Sequence, residues 1–130
     1  MPYSVESLIQ NQKNVHSIHK TDQLTDALDL MIEYDYSQLP VIDEDGRLLG
    51  MITFESILRA IRKFNTKIDN LFTQDAIIKA PHHYREDDLF DLLDDLKDTN
   101  AVAIIDPEGF PIGIITSMTL QSFYEIVQKI

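Results

Sequence analysis

Cysteine is absent from the 130-residue sequence, which excludes disulfide bonds and metal sites built from thiolates. Long apolar runs are absent too: no stretch approaches the roughly 18 consecutive apolar residues of a membrane-spanning helix. Residues 1–14 also lack the apolar segment of a secretory signal peptide. These absences predict a soluble cytoplasmic protein that does not associate with membranes.

Basic residues are scarce, with 11 lysines and arginines against 22 aspartates and glutamates and a net charge of −11. A field of this sign repels the phosphate backbone of nucleic acids and the heads of anionic lipids. The composition therefore predicts no nucleic-acid partner. It still allows a small anion to bind where a few local groups overcome the overall field.

Recognisable catalytic motifs are missing as well. The sequence contains no P-loop, no Rossmann glycine series, no HExxH motif and no Ser-His-Asp motif context. Its many carboxylates follow no pattern that would pair two of them across a cleft. We therefore predict no catalytic residues and no enzyme activity for this chain.

The most informative stretch that is present runs from Leu39 to Thr53. Two short apolar runs flank the turn signal Asp-Glu-Asp-Gly at 43–46, in which glycine takes a positive φ at low cost. This pattern predicts a β-hairpin. Apolar residues at helical spacing follow Thr53, so a helix is predicted over 54–64.

The same pattern occurs a second time, shifted by 63 residues, from 53 to 116 for the threonine that ends each hairpin. Matched positions inside matched apolar patterns indicate an internal duplication. Asp43, Gly46, Gly50 and Thr53 correspond to Asp106, Gly109, Gly113 and Thr116.

Each copy begins with a predicted strand and an amphipathic helix. In the first copy these are Val15–His19 and the stripe Leu24, Ala27, Leu28 and Met31. In the second copy, Ala76–Lys79 is predicted as the strand, 81–85 as a loop and Leu89 to Leu96 as the stripe. Aligning Leu24 with Leu89 requires a shift of 65, and a last helix is predicted from about Ser117.

These elements suggest four segments in chain order. Residues 1–14 form an N-terminal lead-in helix, and 15–64 form the first repeat. Residues 65–75 form a connector, which carries apolar residues and is therefore expected to pack rather than to move freely. Residues 76–130 form the second repeat. The 44% hydrophobic content supports a packed core.

The order strand, helix, strand, strand, helix, with the last strand ending Gly-apolar-apolar-Thr before a helix, resembles the CBS domain, named for cystathionine β-synthase. Two in tandem resemble a CBS pair, or Bateman module. The resemblance implies an α/β fold of the α+β type, with two pseudo-symmetric repeats and two clefts between them. It also implies a regulatory ligand (AMP, ADP, ATP or S-adenosylmethionine), a homodimer, and an effector protein or domain that is regulated.

The resemblance also implies a site. In the family, the threonine and an aspartate three residues later hold the ribose hydroxyls. Thr53 and Thr116 match the threonine, whereas Ser56 and Thr119 occupy the aspartate positions. A neutral hydroxyl is a weaker acceptor than a carboxylate. Apolar residues on neighbouring strands are expected to sandwich the base, and they are core residues in either case. They are Ile18, Pro40, Val41, Ile78, Val102 and Ala103.

Two alternatives remain open for these features. A threonine before a helix often serves only as its N-cap, and the missing aspartates favour a ligand-free dimerisation or docking module. The interface of such a module would use exposed helix residues, among them Leu58, Phe123 and Tyr124.

Histidines and aspartates supply the remaining candidates. The pair His82 and His83, with Arg85 nearby, is interpreted as a surface loop, with phosphate contact or a metal site as alternatives. The aspartates between 87 and 98 lack the spacing and the glycine of a calcium loop. They are interpreted as the solvent-exposed face of a helix, and no metal site is predicted.

Overall fold

The computed structural model describes residues 5–9 and 15–128 and divides into two compact units. The first unit is His16–Lys79. The second unit joins residues 80–128 to an N-terminal helix, α1 (Glu6–Ile9). Each unit has its own three-stranded sheet and its own buried core.

The first unit follows the order strand, helix, strand, strand, helix. Strand β1 pairs in parallel with β2, and β2 pairs antiparallel with β3, so that β2 is the central strand. The elements are β1 (Ile18–His19), α2 (Leu24–Glu33), β2 (Gln38–Ile42), β3 (Leu48–Thr53) and α3 (Phe54–Phe64).

The second unit repeats this order and this topology. Strand β4 pairs in parallel with β5, and β5 pairs antiparallel with β6. The elements are β4 (His82–His83), α4 (Leu89–Asp98), β5 (Ala101–Ile105), β6 (Pro111–Thr116) and α5 (Ser117–Gln128). The predicted duplication and fold class are confirmed.

Both hairpin turns are built by an aspartate and a glycine. The Asp43 carboxylate accepts the backbone N–H of Asp45 at 2.8 Å and that of Arg47 at 3.0 Å, while Gly46 takes a φ of 90°. Asp106 and Gly109 repeat the arrangement, with a φ of 96° at Gly109. Only glycine adopts such φ values without strain, which explains why the turn signal appears twice.

The Asp43 turn makes stability depend on pH. The hydrogen bond from the backbone of Arg47 is the main cause that lowers the pKa of Asp43. The folded state therefore favours the carboxylate, and this contribution is present above the unfolded pKa of about 3.9. It is lost as the pH falls through the lower, folded pKa.

We expect Asp43→Asn to lower the free energy of unfolding at pH 7 and to lose this effect in acid, when the wild-type carboxyl is itself protonated. Urea denaturation at pH 7, 5 and 3 measures the difference. Asp45→Asn removes the same charge from the same turn without removing the Asp43 acceptor, and serves as the control. A wild-type advantage over Asp43→Asn that stays constant down to pH 3 would contradict the assignment.

The core of the first unit lies between α2 and the sheet. Leu24, Ala27 and Met31 are fully buried on α2, as their spacing predicts, and they share a cluster with Leu39 and Ile52 from β2 and β3. The predicted amphipathic stripe is therefore confirmed at these positions.

The connector is packed within the first unit. Leu71 is 5% exposed and Thr73 is fully buried. Both the N–H and the hydroxyl of Thr73 donate to the backbone oxygen of Asp22, at 2.8 and 2.9 Å. The Gln74 N–H donates to the backbone oxygen of Lys20 at 2.9 Å. The connector thus covers the turn that leads into α2.

One predicted strand is wrong. Residues 76–79 do not begin the second sheet: a 3₁₀ turn ends at Ala76, and Ile78 forms a lone antiparallel bridge with Met51 in the first unit. The strand that begins the second sheet is β4, in the stretch that was predicted to be a loop. The apolar pair Ile77 and Ile78 mimics a strand in the sequence, but its backbone bonds go to β3.

The N-terminal helix α1 belongs to the second unit. Val5, Leu8 and Ile9 are buried and cluster with Leu92 of α4 and Val102 of β5. The Val5 N–H donates to the backbone oxygen of Asp87 at 3.2 Å. A short lead-in helix is confirmed for Glu6–Ile9, and the remainder of 1–14, apart from Val5, lies outside the described residues.

Within the described ranges, the helices are all too short or too polar to cross a membrane.

Candidate functional site

The first candidate junction joins β3 to α3 at Thr53. The Thr53 hydroxyl accepts the N–H of Ser56 at 3.0 Å, and the Ser56 hydroxyl accepts the N–H of Thr53 at 2.8 Å. The two residues therefore form a reciprocal capping box. The Ser56 hydroxyl also donates to the backbone oxygen of Thr53 at 3.0 Å, and the residue is 5% exposed.

The second candidate junction joins β6 to α5 and is built in the same way. The Thr119 hydroxyl accepts the N–H of Thr116 at 3.2 Å, and the Thr116 hydroxyl accepts the N–H of Thr119 at 3.3 Å. The two hydroxyls lie 3.3 Å apart. These distances exceed those at Thr53, and both threonines are half-buried. The second cap is thus looser and more accessible than the first.

All four hydroxyls already serve the helix starts. Each cap satisfies backbone N–H groups that would otherwise lack a partner at the beginning of a helix. The capping interpretation of Thr53 and Thr116 is therefore confirmed as a structural role. A role in ligand binding would be additional to it and remains a prediction.

The apolar residues predicted to sandwich a base fall into two groups. Five are buried on sheet strands: Ile18 at 8% exposure, with Pro40, Val41, Val102 and Ala103 almost completely buried. The sixth, Ile78, is 43% exposed and lies outside the second sheet. Its predicted position as the counterpart of Ile18 is wrong, because Ile18 pairs with Val41 where His83 pairs with Ile104.

His83 is a residue that the sequence analysis undervalued. Its ring is 14% exposed, with Nδ1 3.0 Å from a carboxylate oxygen of Asp87 and Nε2 2.5 Å from one of Asp95. The second Asp87 contact is the Tyr84 N–H, which donates to the same oxygen at 2.9 Å. The shift of 65 that aligns Leu24 with Leu89 also aligns Ile18 with His83, and that signal was available.

The His83 contacts correct two predictions about this region. The stretch around His82 and His83 is a strand rather than a loop, and Asp87 and Asp95 bond to His83 instead of only facing solvent. Both ring nitrogens of His83 are engaged by carboxylates, which leaves neither to contact a phosphate. Arg85 pairs with Glu6 at 3.5 Å.

An aromatic cluster lies where β1 begins and α2 ends. The rings of His16 and Tyr34 stack with centroids 4.2 Å apart, and Tyr36 lies 5.8 Å from Tyr34. Burial raises the pKa of the Tyr36 phenol, and the charge that Tyr34 carries when ionised raises it further. This cluster keeps the loop before β2 ordered.

No group of three or more histidine, aspartate or glutamate side chains is arranged around a common metal position in the ranges 5–9 and 15–128. His83 with its two aspartates does not make such a group, because its ring nitrogens point to different carboxylates.

Comparison with known proteins agrees with this architecture. Residues 5–63 match the family model of the CBS domain. The homoserine O-acetyltransferase of Methanocorpusculum labreanum is 28% identical over 98% of this chain and 25% of its own length. The inosine-5'-monophosphate dehydrogenase of Methanocaldococcus jannaschii is 30% identical over 80% of this chain and 20% of its own length. The chain thus spans a quarter or less of these curated relatives.

Solved structures match nearly the whole chain. CBSX2 in complex with AMP aligns with a TM-score of 0.82 at 22% identity, over 97% of this chain and 98% of its own. Its likeness extends over both units, including the second, which lies largely beyond the family-model match. The chain therefore belongs to the CBS-domain family, as a tandem pair of CBS repeats.

Proposed function

We propose that this chain is a regulatory module that senses an adenosine compound (AMP, ADP, ATP or S-adenosylmethionine) at its two strand-to-helix junctions. The observation that carries the proposal is the duplicated junction at Thr53 and Thr116 on a CBS-pair fold. A protein of the same fold, CBSX2, has been solved in complex with AMP. CBS domains are regulatory modules, which makes sensing the natural role of a bound ligand.

The junctions have suitable chemistry for a nucleotide. Helices α3 and α5 contain 11 and 12 residues and begin directly at the ends of β3 and β6. The N-terminus of a helix presents N–H groups and a positive dipole end, which attract a phosphate. Ser56 and Thr119 would contact the ribose hydroxyls. This local attraction would act against the net charge of −11.

Signalling would follow from a difference in affinity. A ligand shifts a conformational equilibrium only as far as it binds one state more tightly than the other. The curated relatives are enzymes several times longer than this chain, so a partner enzyme domain is the effector that best fits the module. The chain itself would act in the cytoplasm as a dimer and carry no catalytic residues.

A thermal-shift series with AMP, ADP, ATP, S-adenosylmethionine and NAD, with and without Mg²⁺, tests the proposal. A ligand present at 100 times its Kd adds about 2.7 kcal/mol to the native state. For a chain of this size we expect the melting temperature to rise by roughly 10 °C. Selectivity for one compound would name the ligand.

Threonine variants connect the shift to the junctions. Thr53→Ala with Thr116→Ala should abolish the ligand-induced shift, while Thr53→Ser with Thr116→Ser keeps both hydroxyls and should retain it. Each alanine also removes a cap, which lowers the unliganded melting temperature, so the shift is measured against each variant's own baseline. An unchanged affinity in the alanine variant would show that the site is elsewhere.

A ligand-free dimerisation or docking module is the second candidate. It is favoured by the hydroxyls at Ser56 and Thr119, which replace carboxylates and already bond within their caps. A protein that is dimeric and shows no thermal shift with any of the five compounds would support it. Of the predicted interface residues, Leu58 is 66% exposed, and the side chains of Phe123 and Tyr124 lie outside the described part.

A further inference from the structure

The outward face of α3 is apolar at its centre and positively charged around it. Leu58 is 66% exposed, and Arg59 and Arg62 flank it on the same side of the helix. These three residues line a shallow groove together with Glu55 and Lys63. Three cations and one anion make this face positive, in a chain whose net charge is −11.

The outward face of α4 has the same design with the opposite sign. Phe90 is 62% exposed. Asp91 and Asp94 lie beside it, Asp88 caps the helix through the N–H of Phe90, and Lys97 pairs with Asp94 at 3.3 Å. Three anions and one cation make this face negative. Each helix therefore presents one large exposed apolar side chain within charges of a single predominant sign.

The charges on the two helices also match in spacing. On α3 they recur at 55, 59 and 62, and on α4 at 91, 94 and 97, steps of three or four residues that keep them on one side of a helix. If two such helices pack antiparallel, one register places opposite charges together, to within one residue. The pairs are Arg62 with Asp91, Arg59 with Asp94, and Glu55 with Lys97.

We propose that α3 of one copy of this chain packs antiparallel against α4 of a second copy in this register. The inference deepens the dimer named under the proposed function and identifies its surfaces. Leu58 and Phe90 would lose their exposed area along the seam, which supplies the main attraction. The charges would set the direction and register of the helices rather than most of the affinity.

Existing ion pairs do not stand against this arrangement. Arg59 bonds Glu55 at 2.7 Å, with side chains 78% and 71% exposed, and the Asp94–Lys97 pair is 75% exposed on both sides. Exposed pairs within a helix contribute little to stability. Exchanging them for pairs across an interface therefore costs little and gives each charge a partner beside a less hydrated seam.

Charge reversal tests the register. Arg59→Glu with Arg62→Glu makes the α3 face negative, and Asp91→Lys with Asp94→Lys makes the α4 face positive. We expect each double variant to self-associate at least roughly tenfold more weakly than the wild type, because like charges then face each other. Sedimentation velocity over a concentration series measures the association, and circular dichroism verifies that each variant is folded.

Mixing provides the decisive result. An equimolar mixture of the two double variants should associate as tightly as the wild type, since both contacts between unlike copies regain opposite charges. All four substitutions in one chain should restore self-association in the same way. Asp26→Lys with Glu33→Lys changes the net charge by the same amount on α2, and this control should behave like the wild type.

Three results would overturn the inference: a wild-type chain that stays monomeric at its highest soluble concentration, double variants that associate as tightly as the wild type, or a mixture that fails to associate. Nucleotide-induced thermal shifts, measured on the same proteins, report separately on the junction at Thr53. A loss of the dimer and a failure of ligand sensing are thereby distinguished.

Discussion

Gly50→Ala is expected to lower the free energy of unfolding by about 3 kcal/mol, from overpacking together with weakened backbone hydrogen bonds. A Cβ at this position would lie 2.4 Å from the backbone oxygen of Ile78 and 2.8 Å from Cγ2 of Ile77. The backbones of Met51 and Ile78 exchange hydrogen bonds at 3.0 and 2.8 Å beside it. The added methyl must push that strand segment away.

Thermal and urea denaturation of Gly50→Ala measure this loss, and hydrogen exchange at the Ile78 amide shows where it arises. Gly46→Ala is the matched control, since it adds the same methyl group at a φ of 90° in the open turn. There the expected cost is about 1 kcal/mol, from backbone strain alone. A smaller loss at Gly50 than at Gly46 would contradict the packing explanation.

Thr119→Asp is expected to tighten nucleotide binding roughly tenfold, if the second junction holds the ribose. A hydrogen bond to a charged acceptor is worth about 1.5–3 kcal/mol against 0.5–1.5 kcal/mol for a neutral one. Thr119 is half-buried and its cap is the looser of the two, so a carboxylate can be accommodated. A negative charge in the first turn of α5 also suits the helix dipole.

Titration calorimetry with the compound selected by the thermal-shift series measures the change in Kd. Thr119→Asn is nearly isosteric with the aspartate variant but uncharged, and it should leave Kd close to the wild-type value. Equal effects of aspartate and asparagine would mean that shape rather than charge is responsible. An aspartate variant with unchanged Kd would remove the ribose contact from Thr119.

The His83 contacts show why part of the molecule escaped sequence analysis. Strand β4 has only two residues, both histidines, so neither apolar alternation nor β-propensity marks it. It is a strand because β5 lies beside it in parallel register. By contrast, the hairpin predicted from Leu39 to Thr53 needs only its turn and its two apolar runs, and it forms as β2 and β3.

Ile78 illustrates the opposite error. Two adjacent isoleucines predict a strand, and the backbone there does form a bridge, but it pairs with Met51 in the first unit. The close approach of Ile78 to Gly50 makes that pairing specific. Local pattern indicates that a segment is extended, and it does not indicate which edge the segment joins.

The sequence by itself determined the duplication, the two Asp-Gly hairpin turns and the capped starts of α3 and α5. Each of these depends on residues within a few positions of one another, where turn and capping chemistry acts. Only the tertiary structure decided that α1 packs with α4 and β5 in the second unit, and that His83 lies between Asp87 and Asp95. Those contacts arise from burial of apolar surface and from sheet pairing between segments far apart in the chain, which no local pattern encodes.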